Sequence, residues 1–417
     1  MNQITPELDR DTKSQKGGIV SLLIIFVLFG LAQASNEYRV LYLQGQGLSA
    51  TECGWILATA SLLSAFARPM AGALADKLRS RHRVFIAALL SWIAILALML
   101  LTQNVRIAGF IMCAGIVPLL SVSEPITYGM IEASGVTAAM RSPRLDYSLI
   151  RVCLSIGYSV INFLYTPIVN RFGSSAPFFC TLVFAACMLF FSGAVRKFET
   201  TAPASGAQTA SGEKLEFRKL FSNYFLISFV LLCFLYALGA QTSSFLIYLL
   251  DEVGLDGSLV GTASGIRVLG EIITMPLIPV LKKKVSLPML QAIACGFTVL
   301  QICLYLTCHD PYVVLGVTLL NGISCGITLS TTAIYLRQMA PAGLDTTTLS
   351  LSTTMNNFGA IVLNLFGGVI IDHFGVFTFY RISLFCLLLW LALYFGTWIF
   401  GTRVLKKAPP VPMFLKR

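Results

Sequence analysis

Histidine is nearly missing from this chain: there are three, His82, His309 and His373, all in segments read as loops and far apart. A hydrolase or transferase working in a membrane would want a histidine or metal cluster, so enzyme chemistry and a bound metal are not expected. Charge is scarce as well. Only 12% of residues are charged, against roughly 25% in an ordinary soluble domain, and a mean hydropathy of +0.79 excludes one. The 11 cysteines form no CxxC pair and read as small buried hydrophobes rather than zinc ligands or a disulfide framework. No glycine-rich phosphate loop is present, so direct coupling to ATP is not expected. The hydrophilic start, Met1 to Lys16, has no short apolar core followed by a small-residue cleavage site. The first apolar run is therefore expected to stay in the protein.

Long apolar runs are what the chain has. A spanning helix needs about 20 apolar residues, and twelve runs fit, near 18–43, 51–76, 83–101, 105–132, 147–170, 177–195, 222–250, 258–281, 286–307, 311–337, 346–371 and 377–402. Between the sixth and seventh, Thr200 to Gly212 is small and polar and reads as a flexible linker. The expected fold is an all-α membrane protein of twelve transmembrane helices in two six-helix halves related by pseudo-two-fold symmetry. Its expected parts are a cytoplasmic N-tail (1–17), an N-terminal half (18–195), a cytoplasmic linker (196–221), a C-terminal half (222–402) and a cytoplasmic C-tail (403–417).

The basic charge follows the same plan. Of 30 Lys and Arg, 23 fall in the tails and loops of one face, and only Arg106, Arg171 and Arg381 in loops of the other. Basic loops are retained in the cytoplasm, which predicts a multi-pass protein of the cytoplasmic membrane with both termini inside. The net charge of +11 is then topology and attraction to membrane lipid, not affinity for nucleic acid.

A faint repeat runs through the halves. Gly54 and Pro69 recur 207 positions on, as Gly261 and Pro276, and Asn170-Arg171-Phe172-Gly173 recurs as Asp372-His373-Phe374-Gly375, with Gly173 and Gly375 202 apart. Repeats of this kind build transporters.

Charge inside a membrane is costly, so each intramembrane charge is a functional candidate. Arg267 and Glu271 are four apart and share a helix face, either as a structural pair or with Glu271 as a proton- or substrate-binding carboxylate. Glu124 and Tyr128 share a face of the fourth run, and Arg151, near the start of the fifth, is expected to reach up one turn to Glu124. Glu37 and Arg39 are two apart and point in different directions, with Arg39 expected to snorkel outward and Arg68 inward. Thr353, Thr354, Asn356, Asn357 and Asn364 must face protein or a water-filled path.

Between the second and third runs, Pro69, Gly72, Asp76, Lys77 and Leu78 resemble the signature loop of the major facilitator superfamily, with Arg79 where a glycine is usual. Arg151, Ser155, Gly157 and Tyr158, together with Gly270-Glu271, resemble the helix 5 and helix 8 patterns of its lactose-permease-like and phenylpropionate-permease-like branch. That resemblance implies a sugar-binding arginine at Arg151, a stacking aromatic at Tyr158 and a proton-coupling glutamate at Glu271. The helix 4 acid of that branch, three residues after a proline, is Tyr128 here, with Glu124 a turn away as its substitute. The ninth run, Leu290 to Thr307, has no arginine, and Asn321 and Ser324 stand where the branch has His and Glu, so Arg267 is left to supply the positive charge.

These readings predict a secondary transporter that imports a small polar or organic solute (sugar, nucleoside or aromatic acid) with protons, by alternating access around a midplane cavity lined by helices 1, 4, 5, 7, 8, 10 and 11. The expected substrate-binding residues are Asn36, Glu124, Tyr128, Arg151, Ser155, Tyr158, Asn321 and Asn357. Glu271 and Arg267 are the expected coupling pair, and Gly72, Asp76 and Arg83 the expected inner latch. No cofactor beyond the proton gradient is expected, and the chain is expected to act as a monomer. The alternative is a drug or metabolite exporter of the same fold. Drug exporters carry a glycine- and proline-rich helix 5, whereas Tyr147 to Asn170 has a proline only at Pro167.

Overall fold

Among the described residues the apolar runs become twelve long helices. They are α1 (Thr5–Gln33), α2 (Ala50–Leu78), α3 (Arg81–Leu101), α4 (Met112–Arg141), α5 (Tyr147–Phe172), α6 (Ala176–Phe191), α7 (Tyr224–Ala240), α8 (Val260–Thr274), α9 (Leu287–Thr307), α10 (Pro311–Met339), α11 (Asp345–Phe374) and α12 (Val376–Ile399). The structure, a computed structural model, describes residues 5–103, 105–107, 110–141, 147–199, 223–308, 310–341 and 344–413. Among the described residues eleven helical segments are long and apolar enough to cross a membrane, so this is a multi-pass membrane protein. The shorter α6 has 16 residues and is parted at Ser192 from a further turn, Gly193–Lys197.

The first and fourth helices differ in their bounds from the sequence reading. The helix of the first run starts at Thr5, inside the expected tail. The fourth begins at Met112 instead of 105 and runs on to Arg141. Ahead of it, Arg106–Ile107 pairs with Phe110–Ile111 in a two-residue antiparallel ladder. Most of the expected linker lies outside the described residues.

Helix starts are set by side chains that accept from otherwise unbonded backbone N–H groups. Ser80 caps α3, Asn223 caps α7, Ser286 caps α9 and Asp310 caps α10. At α2 the cap has two parts. Ser49 and Glu52 exchange bonds as a capping box, and the next two N–H groups, of Ala50 and Thr51, donate to the Asp372 carboxylate at 3.1 and 2.7 Å.

The repeat seen in sequence is a set of shared devices. Gly173 and Gly375 both end their helices with positive φ, 85° and 81°, and both donate to the carbonyl four residues back, Val169 and Ile371. Glycine adopts this left-handed turn without strain. Further on in each helix pair, a Cβ on Gly157 would lie 2.5 Å from the Val27 carbonyl oxygen, and one on Gly359 would lie 2.5 Å from that of Phe234. Residues 157 and 359 keep the 202 spacing, and 27 and 234 keep the 207. The first helix of each half also breaks at the same point. After α1, a 3₁₀ turn, Ala34–Tyr38, leads into Arg39–Gly45; after α7, the 3₁₀ turn Thr242–Phe245 leads into Leu246–Glu252.

The helices group into two units, Met1–Tyr42 with Leu63–Ala207, and Leu43–Leu62 with Gln208–Arg417. In the first unit α1 packs along α5 and α6, and α3 along α4. In the second, α8 and α9 pack on α10, and α7 on α11 and α12. The amino-terminal part of α2 lies along α11 within the second unit, so closely that a Cβ on Gly368 would lie 2.1 Å from the Ala50 carbonyl oxygen.

Candidate functional site

In the first unit the site starts from a broken helix and a proline. Pro125 has no N–H, so the carbonyl of Ser121 loses its helical donor. Beside this gap sits Glu124, 6% exposed. Its two oxygens are both held: Oε2 by Arg39 Nη2 at 2.9 Å, and Oε1 by Asn36 Nδ2 at 2.6 Å. Arg39 Nη1 donates to Ser121 Oγ at 2.8 Å. The 3₁₀ turn explains the pairing, because residues three apart eclipse in that geometry, which aims Asn36 and Arg39 the same way. Glu37, between them, faces elsewhere and accepts a short bond from the Tyr158 hydroxyl.

This corrects two expectations. Arg39 does not snorkel outward; it turns inward onto a buried carboxylate that needs a counter-charge. Arg151 does not reach Glu124, whose oxygens are already held. It is exposed and has no ion-pair partner among the described residues. Of the expected binding residues, Asn36 and Glu124 are brought together, and the Tyr158 hydroxyl bonds to Glu37. Tyr128 stacks on Phe29, centroids 5.3 Å apart, and its hydroxyl donates to Glu132 at 3.3 Å, away from Glu124. Ser155 is half-buried on α5.

In the second unit the charge is more local. Arg267 Nη1 meets Glu271 Oε1 at 2.9 Å, one turn along α8, with 21% and 14% of the two side chains exposed. Gly270 and Gly322 let α8 and α10 touch backbone to backbone, and Thr318 Oγ1 donates across to the Ala263 carbonyl at 3.1 Å. That approach brings polar side chains of α10 and α9 beside Arg267. Cys325 Sγ donates to Asn321 Oδ1 at 3.7 Å, Asn321 Nδ2 to Gln301 Oε1 at 3.1 Å, and Gln301 Nε2 to the Tyr305 hydroxyl at 2.8 Å. Arg267, Gln301, Asn321, Tyr305 and Tyr380 are among the residues that line a small cavity of about 20 Å³, room for roughly one water.

The polar row of α11 divides. Thr353 and Thr354 bond back to their own helix, at Leu349 and Ser350. Asn356 accepts from Gln241 at 2.5 Å, and Asn364 donates to Ser61 Oγ at 3.3 Å. Asn357 is half-buried.

At the expected latch, Gly72 has open space around it, Arg83 is exposed, and the Asp76 side chain lies outside the described residues. The ties in this region come from neighbours the sequence reading passed over. Arg141 donates to the carbonyls of Lys197 and Glu199 at 3.0 and 3.3 Å, the His82 N–H to Glu199 Oε1 at 3.2 Å, and Arg81 Nη1 to Thr137 Oγ1 at 3.4 Å. Arg39, Ser121 and Glu37 were missed as site partners too. Only intramembrane charge pointed to Arg39 and Glu37, and nothing marked Ser121.

Comparison with known proteins gives the family. The family model described as the MFS_1 like family matches residues 20–382, most of the chain. Among solved structures, the nucleoside transporter NupG matches at 15% identity with a TM-score of 0.75, over 91% of this chain and 99% of that one. The peptide transporter POT in complex with alafosfalin matches at 14% identity and a TM-score of 0.69, over 91% and 94%. A bacterial homolog of the human lysosomal transporter Spinster matches at 11% and 0.64, over 95% and 99%. At these identities the likeness shows the fold. No curated protein matches in sequence. The chain belongs to the MFS_1 like family and is a transporter of the major facilitator type, not an enzyme.

Proposed function

We propose that this major facilitator transporter carries a small organic solute across the cytoplasmic membrane together with protons, by alternating access, as a symporter of the lactose-permease-like kind with both termini in the cytoplasm. The observation that carries the reading is the Arg267–Glu271 pair at 2.9 Å. Both partners sit on one helix, so protonating Glu271 dissolves an ion pair without unfastening one helix from another. Arg267 is then released toward Asn321, Cys325 and the solute. A ligand or proton shifts a conformational equilibrium only through such differential contacts.

In the first unit, Asn36, Glu124 and Arg39 form a fixed polar surface for the solute, flanked by Tyr128, Ser155 and Tyr158. The exposed Arg151 is an open cationic contact. In the second, Asn321 and Asn357 offer neutral hydrogen-bonding groups. Solved proteins of like fold include a nucleoside transporter and a peptide transporter, which supports an organic solute.

The test is the external pH of a lightly buffered suspension of de-energised cells making the protein, as sugars, nucleosides and aromatic acids are added singly. Alkalinisation with one solute, lost in Glu271→Gln, is the expected result. Silence across the panel, with dye efflux from energised cells, would replace this reading with the exporter.

A further inference from the structure

Glu37 belongs to neither of the ion pairs that mark the two units. It lies half-buried in the 3₁₀ turn after α1, between Asn36 and Arg39, and accepts from the Tyr158 hydroxyl of α5. The turn is thus pegged on two sides. Asn36 and Arg39 hold Glu124 on α4, and Glu37 between them holds α5. The next residue, Tyr38, is fully buried and meets Tyr165 edge to face at 5.5 Å. Tyr158 and Tyr165 are seven positions apart and share one face of α5.

The repeat separates what the fold requires from what has been added. By the 207 and 202 spacings, Tyr38 and Tyr165 correspond to Phe245 and Gly367. Those two also meet, since a Cβ on Gly367 would lie 2.8 Å from the Phe245 ring. The close approach of Gly157 to Val27 likewise recurs as Gly359 to Phe234. Glu37 and Tyr158, however, correspond to Ser244 and Ala360, and an alanine side chain makes no hydrogen bond. The break in the first helix of a half therefore forms without a polar peg to the fifth. The peg is present where the turn carries Asn36 and Arg39, whose counterparts are Ser243 and Leu246.

We propose that Glu37 and the Tyr158 hydroxyl are positioning residues. The bond between them sets the turn so that Asn36 and Arg39 meet Glu124, and so shapes the polar surface offered to the solute. Tyr158 is 9% exposed, so its ring has little face to offer, and its hydroxyl is the group on which the surface depends. Side chains on a turn held from two helices are aimed in advance, which is how a binding geometry is kept at low cost. The proposal rests on the transport reading only in taking that surface to meet the solute.

The test is modification of arginine by phenylglyoxal in the purified full-length protein in detergent, read residue by residue by peptide mass spectrometry. Arg39, its guanidinium held by Glu124 and Ser121, should react slowly in the wild type. Tyr158→Phe keeps the ring and removes the hydroxyl, and Glu37→Leu removes the acceptor. Each should speed reaction at Arg39 about tenfold or more, the factor that one lost hydrogen bond to a charged group carries. Both together should add little to either alone, as for two ends of one bond. Glu37→Gln should stay near the wild type, because an amide oxygen accepts the same bond. Arg141, tied to carbonyls at the far end of α4, and Arg267 on α8 are the references, and melting temperatures report the fold. Unchanged protection of Arg39 in Tyr158→Phe overturns the proposal. Equal acceleration at Arg39, Arg141 and Arg267 overturns it too, because it would mean general loosening. No solute enters the measurement, so failure here leaves the transport reading standing, and silence in the pH screen leaves the peg standing.

Discussion

The two units handle intramembrane charge in opposite ways. In the first, Glu124 is held by Arg39, 85 residues away in sequence, and the pair ties α4 to the segment that follows α1. In the second, Glu271 is held by Arg267 four residues away on the same helix. A bridge between elements fixes geometry, and breaking it strands a charge and loosens packing. A bridge within one helix can be made and unmade while the packing of α8 on α10 persists. The difference suits the first pair to architecture and, on the proposed function, to solute positioning, and the second to change.

The largest effect should come from breaking the first bridge. Glu124→Ala leaves Arg39 buried without its counter-ion, a kind of loss that costs about 3–5 kcal/mol, and should appear as a marked drop in the melting temperature of the purified protein. Replacing both partners with apolar residues, Arg39→Met with Glu124→Leu, should recover most of that stability but not transport. A double variant as unstable as Glu124→Ala would show that the pair is not acting as a unit.

Next come the glycine contacts that the halves share. Gly157→Val and Gly359→Val each push a side chain into a backbone carbonyl, an overpacking worth about 1–3 kcal/mol. Similar losses at both positions, read in denaturation of the purified protein, are expected if the halves are true repeats. Indifference at Gly359 alone would limit the repeat to topology.

A smaller effect is expected at the cap of α2. Asp372→Asn keeps the shape and removes the charge that faces two backbone N–H groups. With an exposed carboxylate the loss should be about 1 kcal/mol or less, detectable as faster hydrogen exchange at Ala50 and Thr51. Unchanged exchange there would contradict the capping role.

Much of this organisation was legible in the sequence, and the reasons are physical. Twelve apolar runs announce themselves because a bilayer imposes a minimum length on every spanning helix. Gly173 and Gly375 could be matched because a left-handed turn restricts residue choice. The Arg267–Glu271 pair was legible because it is local. Arg39 was misread for the converse reason: its partner is far off in sequence, and the 3₁₀ turn that aims it leaves no mark in the pattern of apolar residues. Asp372 was noticed as a repeat marker, and its capping role needed the packing of α2 on α11.

The smallest expected change in stability belongs to Glu271→Gln, and it bears most directly on the central claim. The protein would be reconstituted into vesicles with the solute found in the pH screen. Uptake would be followed in two modes, accumulation driven by a proton gradient and exchange of solute across the membrane without one. We expect Glu271→Gln to melt close to the wild type and to keep exchange while losing accumulation. Full gradient-driven accumulation in Glu271→Gln would contradict the assignment of Glu271 as the coupling carboxylate.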